Sequence, residues 1–181
     1  MPRKGDLVNL ANQPVRAVPK VTRKPNRVEK KREKVKGVPI PSPKIRSQID
    51  KKNYEKAMDQ YDHQCADCGR TVGLEMHHIT FRSQSGRKGW RNLVPLCKLH
   101  HDFCHERFPN RETREAYSGW YANMWRERHE LLYGPFYYMD KYDLYKANLI
   151  PNTSDDTFEA FMEREEVNAR ETLRKRNDGT K

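Results

Sequence analysis

The sequence contains no long apolar run, and it has no cysteine outside one short segment. Only 35% of its residues are hydrophobic, against 34% that are charged, and no stretch approaches the roughly 18 consecutive apolar residues that indicate a membrane helix. The N-terminal residues also lack the apolar segment and the small-residue cleavage site of a secretory signal. These absences predict a protein that neither spans a membrane nor is secreted, and we expect it in the cytoplasm.

Acidic residues are scarce in the first quarter of the chain. Residues 1–50 contain 14 Lys and Arg but only 4 Asp and Glu, and residues 1–46 hold seven of the 11 prolines. Few apolar side chains are available there to offset the entropy of ordering the backbone. We therefore predict a disordered, basic, Pro-rich arm over residues 1–46, which favours anionic partners such as nucleic acid. A solvated tail that only maintains solubility is the alternative.

The rest of the chain has the hydrophobic periodicity of folded structure. Residues 47–50 (SQID) have the form of a capping box and predict a helix from about Asp50 to Tyr61. The pattern also predicts strands over 74–81 and 92–96 and helices over 98–108, 111–133 and about 155–176. We divide this part into a domain over residues 47–110 and a helical extension over residues 111–181.

The four cysteines all fall between residues 65 and 104, and their spacing indicates a metal site. Cys65-x-x-Cys68 and Cys97-x-x-His100 form two knuckles with four soft or borderline ligands, as a closed tetrahedral zinc site requires. His100 is favoured over Cys104 as the fourth ligand because Cys97 and Cys104 would lie two helical turns apart, roughly 10 Å. Cys104 is the candidate if His100 does not bind. Four buried cysteines without a metal are the alternative.

Histidines between and after the knuckles form a second set of polar groups. His77 and His78 are neighbours in a predicted strand, so their rings point to opposite faces. One ring can therefore bind a metal while the other remains free to act as a base. His101 and His105 have the i, i+4 spacing that places two imidazoles on one face of a helix, where they can share an ion. Ordinary structural histidines are the alternative for each.

These residues resemble the HNH endonuclease family. The resemblance covers residues 62–108 and rests on Cys65-x-x-Cys68, LEMHHI at 74–79, RNLVPLC at 91–97, and His100-His101-x-x-x-His105. The resemblance is to the subgroup of bacteria and their phages in which a zinc site braces the domain. That subgroup more often has cysteine at the position of His100. The implied fold is α+β, with a small ββα-metal core and a zinc-knuckle clamp, flanked by helices and the basic arm. The implied location is the cytoplasm of a bacterial or phage-infected cell.

The resemblance also implies a function and residue roles. The expected activity is that of a metal-dependent DNA endonuclease that leaves 5′-phosphate and 3′-hydroxyl ends. His78 corresponds to the general base, and Asn92 to the residue that orients the active-site loop or binds the metal. His101 corresponds to the last histidine of the motif. His77, His101 and His105 are expected to hold a catalytic Mg²⁺, Mn²⁺ or other divalent ion, besides the structural Zn²⁺.

Basic residues also lie on the loop between the two predicted strands. Arg82, Arg87, Lys88 and Arg91 could reach flanking phosphates of DNA. An ordinary solvated basic loop is the alternative, and we expect Trp90 to anchor the loop by packing.

Two other functions compete with nuclease activity. One is a noncatalytic, zinc-dependent nucleic-acid-binding protein. The other is an interaction subunit of a phage packaging or recombination machine, which would contact a phage or host protein through the C-terminal helices. His78 and Asn92 favour the nuclease, because a structural zinc module needs neither.

Overall fold

The computed structural model describes residues 33–35 and 38–178. Their elements, in chain order, are β1 (Lys34–Val35), β2 (Val38–Pro39), α1 (Pro43–Arg46), α2 (Lys51–Asp59), β3 (Leu74–His78), β4 (Leu93–Cys97), α3 (Lys98–Cys104), α4 (Arg111–Tyr117), α5 (Tyr121–Tyr133), α6 (Lys141–Lys146) and α7 (Asp155–Asp178). Two 3₁₀ turns, Arg82–Gln84 and Trp90–Asn92, lie in the β3–β4 connection. Helices combined with small antiparallel sheets confirm the α+β class. None of the helices described is long and apolar enough to cross a membrane.

The β3–β4 pair and the helix that follows it form the centre of the fold. The strands are antiparallel, with Leu74 opposite Cys97 and His77 opposite Val94. β4 is buried along its whole length, and α3 begins at the residue after it. Side chains alternate between the two faces of a strand, so β3 directs His77 and His78 to opposite sides.

Two apolar clusters hold these elements together. The first includes Val94, Leu96, Phe103 and Trp125 and joins β4 to α3 and α5. The second joins α6 to α7 and consists of Leu144, Ile150, Phe161 and Met162. Burial of each such side chain contributes about 1.5–3 kcal/mol. The helices after residue 110 therefore support the strand pair directly, since Trp125 of α5 is only 1% exposed.

The folded part of the chain begins before residue 47, which corrects the predicted boundary of the arm. Ile40 is buried, and Arg46 at the end of α1 is 6% exposed. Arg46 pairs with the carboxylates of Asp140 and Asp143. Because these partners lie about a hundred residues further on, local composition carried no sign of the pairing. The arm prediction for residues 1–32, 36 and 37 lies outside the described residues.

Several element boundaries differ from the prediction. The N-cap of α2 is Asp50, whose side chain accepts the Asn53 N–H at 2.9 Å, whereas Ser47 is the C-cap of α1. The predicted helix over residues 111–133 is interrupted at Gly119, whose φ of +80° is incompatible with a continuous helix. α6, which the sequence analysis does not predict, is preceded by its N-cap Asp140, whose carboxylate accepts two N–H groups of the first turn.

Candidate active site

Cys65, Cys68, Cys97 and His100 come together between the turn before β3 and the start of α3. The Sγ atoms of Cys65 and Cys97 lie 3.5 and 3.4 Å from Nδ1 of His100. The Sγ atoms of Cys68 and Cys97 lie 3.9 Å apart. A tetrahedral site with Zn–S of about 2.3 Å and Zn–N of about 2.0–2.1 Å has edges of roughly 3.5–3.8 Å. The four donor atoms therefore have the spacing to hold a zinc ion.

The surroundings of this cluster favour the metal-binding form of its thiols. Burial raises the pKa of the Cys65 thiol, but hydrogen bonds from the backbone N–H groups of Cys68, Cys97 and Asp67 outweigh it and lower that pKa to about 6. A thiolate is the form that binds a metal. The ring of His100 stacks on Tyr121, and the Tyr121 hydroxyl donates to Asp67. α5 therefore helps to orient His100 within the cluster.

Cys104 is not part of this cluster. It is 2% exposed and packs in the main apolar cluster. Burial raises the pKa of its thiol to about 12, so the thiol is neutral at pH 7. The structure thus brings His100, and not Cys104, to the other three cysteines.

His77, His101 and His105 form a second cluster with metal-binding potential. One ring nitrogen of each lies within 4.8 Å of the others. The centroid of the His77 ring lies 5.2 Å from that of His101 and 5.1 Å from that of His105. His77 comes from β3, and the other two come from α3 and its C-cap. The antiparallel strand pair and the short β4–α3 junction bring these two elements face to face.

The three imidazoles are neutral at pH 7. Burial, followed by the neighbouring His101 and His105, lowers the pKa of His77 to about 3. Burial also lowers the pKa values of His101 and His105. A neutral imidazole offers the lone pair that a metal needs. The cluster is therefore prepared to bind a divalent ion without first losing protons.

Glu75 is a member of this site that the sequence analysis missed. Its Oε2 lies 2.8 Å from Nδ1 of His101. The contact is an ion-pair distance without hydrogen-bond geometry, since Nδ1 of His101 has no hydrogen-bond partner among the described residues. The negative charge of Glu75 opposes the lowering of the His101 pKa by burial. The signal was present in the sequence, because Glu75 and His77 are two residues apart and so share one face of β3.

His78, the next residue of β3, directs its ring to the other face of the strand from His77. Its Nε2 is 3.0 Å from the backbone carbonyl oxygen of Ser47. Burial lowers the pKa of His78, although that hydrogen bond partly opposes the effect. The ring is half-buried and neutral at pH 7. It can therefore accept a proton from a neighbouring group.

Asn92 is fully buried and fixes the loop between the strands. Its Oδ1 accepts the Thr80 N–H at 2.8 Å, and its Nδ2 donates to the carbonyls of Thr80 and Arg87 at 3.1 and 2.9 Å. The same loop passes so close that a Cβ on Gly86 would lie 1.7 Å from the Thr80 oxygen. These three hydrogen bonds to backbone groups place Asn92 to hold the loop in one conformation.

Two of the four predicted DNA-binding residues are buried in ion pairs. Arg87 is 7% exposed, and its Nε lies 2.6 Å from Asp143. Arg91 is 5% exposed and pairs with Glu159 and Glu166 of α7. Their charges are neutralised within the protein, so their assignment to phosphate binding is corrected. They attach the loop to the C-terminal helices instead.

The other two basic residues remain accessible. Arg82 is exposed, and its Nε approaches the Ser47 hydroxyl at 3.4 Å. Lys88 is partly exposed and lies 2.7 Å from Asp50. Trp90 packs edge-on against Tyr133, with ring centroids 5.3 Å apart. These three contacts connect the loop to α2 and α5 as well as to the segment around Ser47.

His129, which the sequence analysis does not single out, is a buried side chain that connects α5 to the site. Its Nδ1 lies 2.7 Å from the Arg91 carbonyl oxygen, and its Nε2 lies 2.7 Å from the Tyr61 hydroxyl. Burial lowers its pKa to about 4. Since a carbonyl only accepts, Nδ1 carries the proton and Nε2 accepts from Tyr61. His129 thereby fastens the turn that carries Asn92 to α5.

Comparison with known proteins identifies the central part of the chain. Residues 65–107 match the family model described as HNH endonuclease. A search of curated proteins and a search of solved structures each found no match. The family prediction is confirmed for this segment, whereas the zinc-bearing subgroup and the phage origin stay predictions. The match supports nuclease activity in general terms and implies a nucleic acid as the substrate.

Proposed function

We propose, on the premise that residues 65–107 form an HNH endonuclease domain, that the protein is a metal-dependent DNA endonuclease. β3, β4 and α3 would form its ββα-metal core, and Cys65, Cys68, Cys97 and His100 would hold a structural Zn²⁺. The observation that carries the proposal is the grouping of three imidazoles around one point, with a fourth, separate imidazole on the next residue of the same strand.

The donor set fits a single divalent ion. His77, His101 and His105 would hold it. Mg²⁺ prefers oxygen ligands, whereas an all-imidazole donor set is less selective for it, so we expect Mn²⁺, Co²⁺ and Ni²⁺ to support activity as well as Mg²⁺. When bound, such an ion would supply positive charge to the scissile phosphate and to the leaving oxygen. Glu75 would keep the His101 ring in its ligand orientation.

His78 is the proposed general base. Its Nε2–H donates to the Ser47 carbonyl, which leaves the lone pair on Nδ1. Because burial keeps this ring neutral at pH 7, Nδ1 can take a proton from the attacking water as the new P–O bond forms. The bond between phosphorus and the 3′ oxygen would break as the new bond forms, and the leaving 3′ oxygen would take a proton from solvent. The products would then carry a 5′-phosphate and a 3′-hydroxyl.

Asn92 and the zinc cluster would contribute by keeping the reacting groups in position. Asn92 would keep the β3–β4 loop, and with it the end of β3, in one conformation through its three hydrogen bonds. The zinc cluster joins the start of the domain to the β4–α3 junction, from which His101 and His105 project. Both would preserve the distances on which the reaction depends.

Arg82 and Lys88 remain the proposed phosphate contacts from the original four. The basic N-terminal residues would add nonspecific affinity for DNA that weakens with salt. A protein partner on the C-terminal helices and a cytoplasmic location stay predictions from the sequence.

A plasmid assay tests the proposal. Zinc-loaded protein is incubated with supercoiled plasmid and Mg²⁺, Mn²⁺, Co²⁺ or Ni²⁺ in turn, and conversion to nicked or linear DNA is followed. We expect cleavage by the wild type and a loss of about 100-fold or more in His78→Ala, since a general base typically contributes 10²–10⁴-fold. DNA ligase should reseal nicked products, because ligase requires a 5′-phosphate beside a 3′-hydroxyl.

The matched control is His63→Ala. His63 is exposed, and in the described part of the chain its side chain contacts Asp59 at the surface. Removing this imidazole should therefore leave the cleavage rate unchanged. Equal activity in His78→Ala and wild type would remove His78 from the mechanism. A wild type that binds the plasmid but cuts it with none of the ions would favour the noncatalytic binding protein.

A further inference from the structure

An arginine from outside the matched segment lies beside the histidine cluster. Arg126 belongs to α5, and its guanidinium carbon is 5.4 Å from the centre of the Phe81 ring. That ring in turn stacks on His105, at 5.4 Å, and meets His77 edge-on, at 5.5 Å. One aromatic ring therefore separates the guanidinium from two of the proposed metal ligands.

Neutral groups hold this guanidinium in place. Its Nη2 donates to Gln84 at 2.9 Å, its Nη1 donates to Asn123 at 3.0 Å, and its Nε approaches the Ile79 carbonyl at 3.5 Å. Among the described residues no carboxylate forms an ion pair with Arg126. By contrast, the buried arginines of the described segment, Arg46, Arg87 and Arg91, are all paired with Asp or Glu.

Arg126 also keeps hydrogen-bonding capacity. Each terminal nitrogen of a guanidinium carries two N–H groups, and the contacts above use one on each. The side chain is partly exposed. The protein thus fixes the position of a cation without neutralising it, and one N–H group on each terminal nitrogen remains available to a ligand from solvent.

We propose that Arg126 binds a phosphate of the nucleic acid at the histidine cluster. The inference rests on the proposed nuclease function. A guanidinium is planar, and its N–H groups can bind two oxygens of a phosphodiester at once. A fixed, uncompensated positive charge at this place stabilises negative charge that develops on the phosphate during cleavage. The helical extension would then supply a substrate-binding group and not only packing surface.

Salt-dependent binding tests the contact without relying on catalysis. Binding to a short duplex is measured over a range of salt concentrations in the His78→Ala background, with no divalent ion added, so that the DNA stays intact. Each phosphate contact contributes about 0.9 to the slope of log K against log salt concentration. We expect Arg126→Gln, which keeps an amide in the network, to lower the slope by about that amount.

Arg128→Gln is the matched control. Arg128 lies on the same helix, is exposed and stacks over Trp125 instead of Phe81, so the substitution removes one charge from α5 at a different place. Its slope should equal that of the parent protein. In the His78-containing protein, the single-turnover cleavage rate should fall by roughly 10²-fold in Arg126→Gln, as for loss of one transition-state donor, and should not change in Arg128→Gln.

The outcomes separate the two proposals. An unchanged slope in Arg126→Gln, or an equal fall in both variants, overturns the phosphate contact. A lower slope with an unchanged cleavage rate places the contact away from the scissile phosphate and overturns its assignment to the cluster. If the wild type cuts no DNA, the nuclease proposal fails while the slopes still decide on Arg126. If Arg126→Gln loses zinc or its folded structure, Arg126→Met replaces it, because methionine keeps an unbranched side chain over Phe81 but carries no charge. An unchanged salt slope in that variant overturns the inference.

Discussion

Nε2 of His78 lies 3.0 Å from the backbone carbonyl oxygen of Ser47, a residue 31 positions earlier in the chain. Ser47 is 4% exposed. It follows Arg46, whose own carbonyl accepts the Lys88 N–H at 3.1 Å. The proposed base is thus oriented by backbone that precedes the matched HNH segment. Arg46 holds that backbone in place through ion pairs with Asp143 of α6 and with Asp140, the N-cap of α6.

Asp143 is central to those ion pairs, and its substitution should destabilise the protein. It lies 2.6 Å from Arg46 and 2.6 Å from Arg87, and those two side chains are 6% and 8% exposed. Removing one partner of a buried pair leaves an uncompensated charge and costs about 3–5 kcal/mol. Because Arg46 retains Asp140, we expect Asp143→Asn to lower the free energy of unfolding by about 3 kcal/mol in urea denaturation at pH 7.

The control for this prediction is an exposed ion pair. Glu115 pairs with Arg111 within α4, and their side chains are 64% and 90% exposed. Glu115→Gln should cost no more than about 1 kcal/mol. A similar small loss in both variants would mean that the ion pairs of Asp143 do not hold the segment around Ser47.

Zinc content tests whether Cys65 is a zinc ligand and Cys104 is not. Cys65 and Cys104 are both 2% exposed, but only Cys65 belongs to the four-residue cluster. We expect Cys65→Ala to lose the bound zinc and most of its cooperative thermal unfolding, since structural zinc contributes folding energy outright. Cys104→Ala should retain one zinc per chain by elemental analysis. Retention of zinc by His100→Ala together with its loss from Cys104→Ala would reverse the assignment of the fourth ligand.

The grouping of the two sets of candidate ligands was predictable because it depends on local spacing. Two Cys/His knuckles and an i, i+4 histidine pair keep their geometry in any turn and helix that contain them. The alternation along β3 similarly predicted that His77 and His78 diverge, and it would also have revealed Glu75.

The environment of the loop was not predictable in this way. Arg87 and Arg91 were interpreted as phosphate contacts because a basic loop has the same local sequence whether its charges face solvent or distant carboxylates. Their partners Asp143 and Glu166 lie 56 and 75 residues further along the chain. The role of His129 depends on Tyr61, 68 residues earlier. Such pairings arise from tertiary packing, and no periodicity marks them.

The buried His129 predicts a loss of stability in mild acid. Its pKa is about 4 in the folded protein and about 6.5 when exposed. Above pH 6.5 the ring is neutral in both states. Below that pH the unfolded chain binds a proton that the folded chain does not, so stability falls by about 1.4 kcal/mol per pH unit until about pH 4.

His129→Gln isolates this effect. A glutamine can still donate to the Arg91 carbonyl and accept from Tyr61, but it does not titrate. Between pH 7 and pH 5, wild type should lose about 2 kcal/mol more of its unfolding free energy than this variant does. Parallel pH profiles for the two proteins would show that His129 is protonated as readily in the folded state as in the unfolded chain.

Gly86 and Gly89 provide a matched test of the loop that Asn92 fixes. A methyl group on Gly86 would lie 1.7 Å from the Thr80 oxygen and 2.9 Å from Nδ2 of Asn92, whereas one on Gly89 meets nothing within 4 Å. Gly86→Ala must therefore displace the loop, at a cost of about 1–3 kcal/mol or more, and we expect it to abolish plasmid cleavage while zinc stays bound. Gly89→Ala should cut at the wild-type rate. Wild-type cleavage by Gly86→Ala would show that the loop conformation set by Asn92 is not needed for activity, because the zinc cluster and the histidine ligands lie outside the displaced backbone.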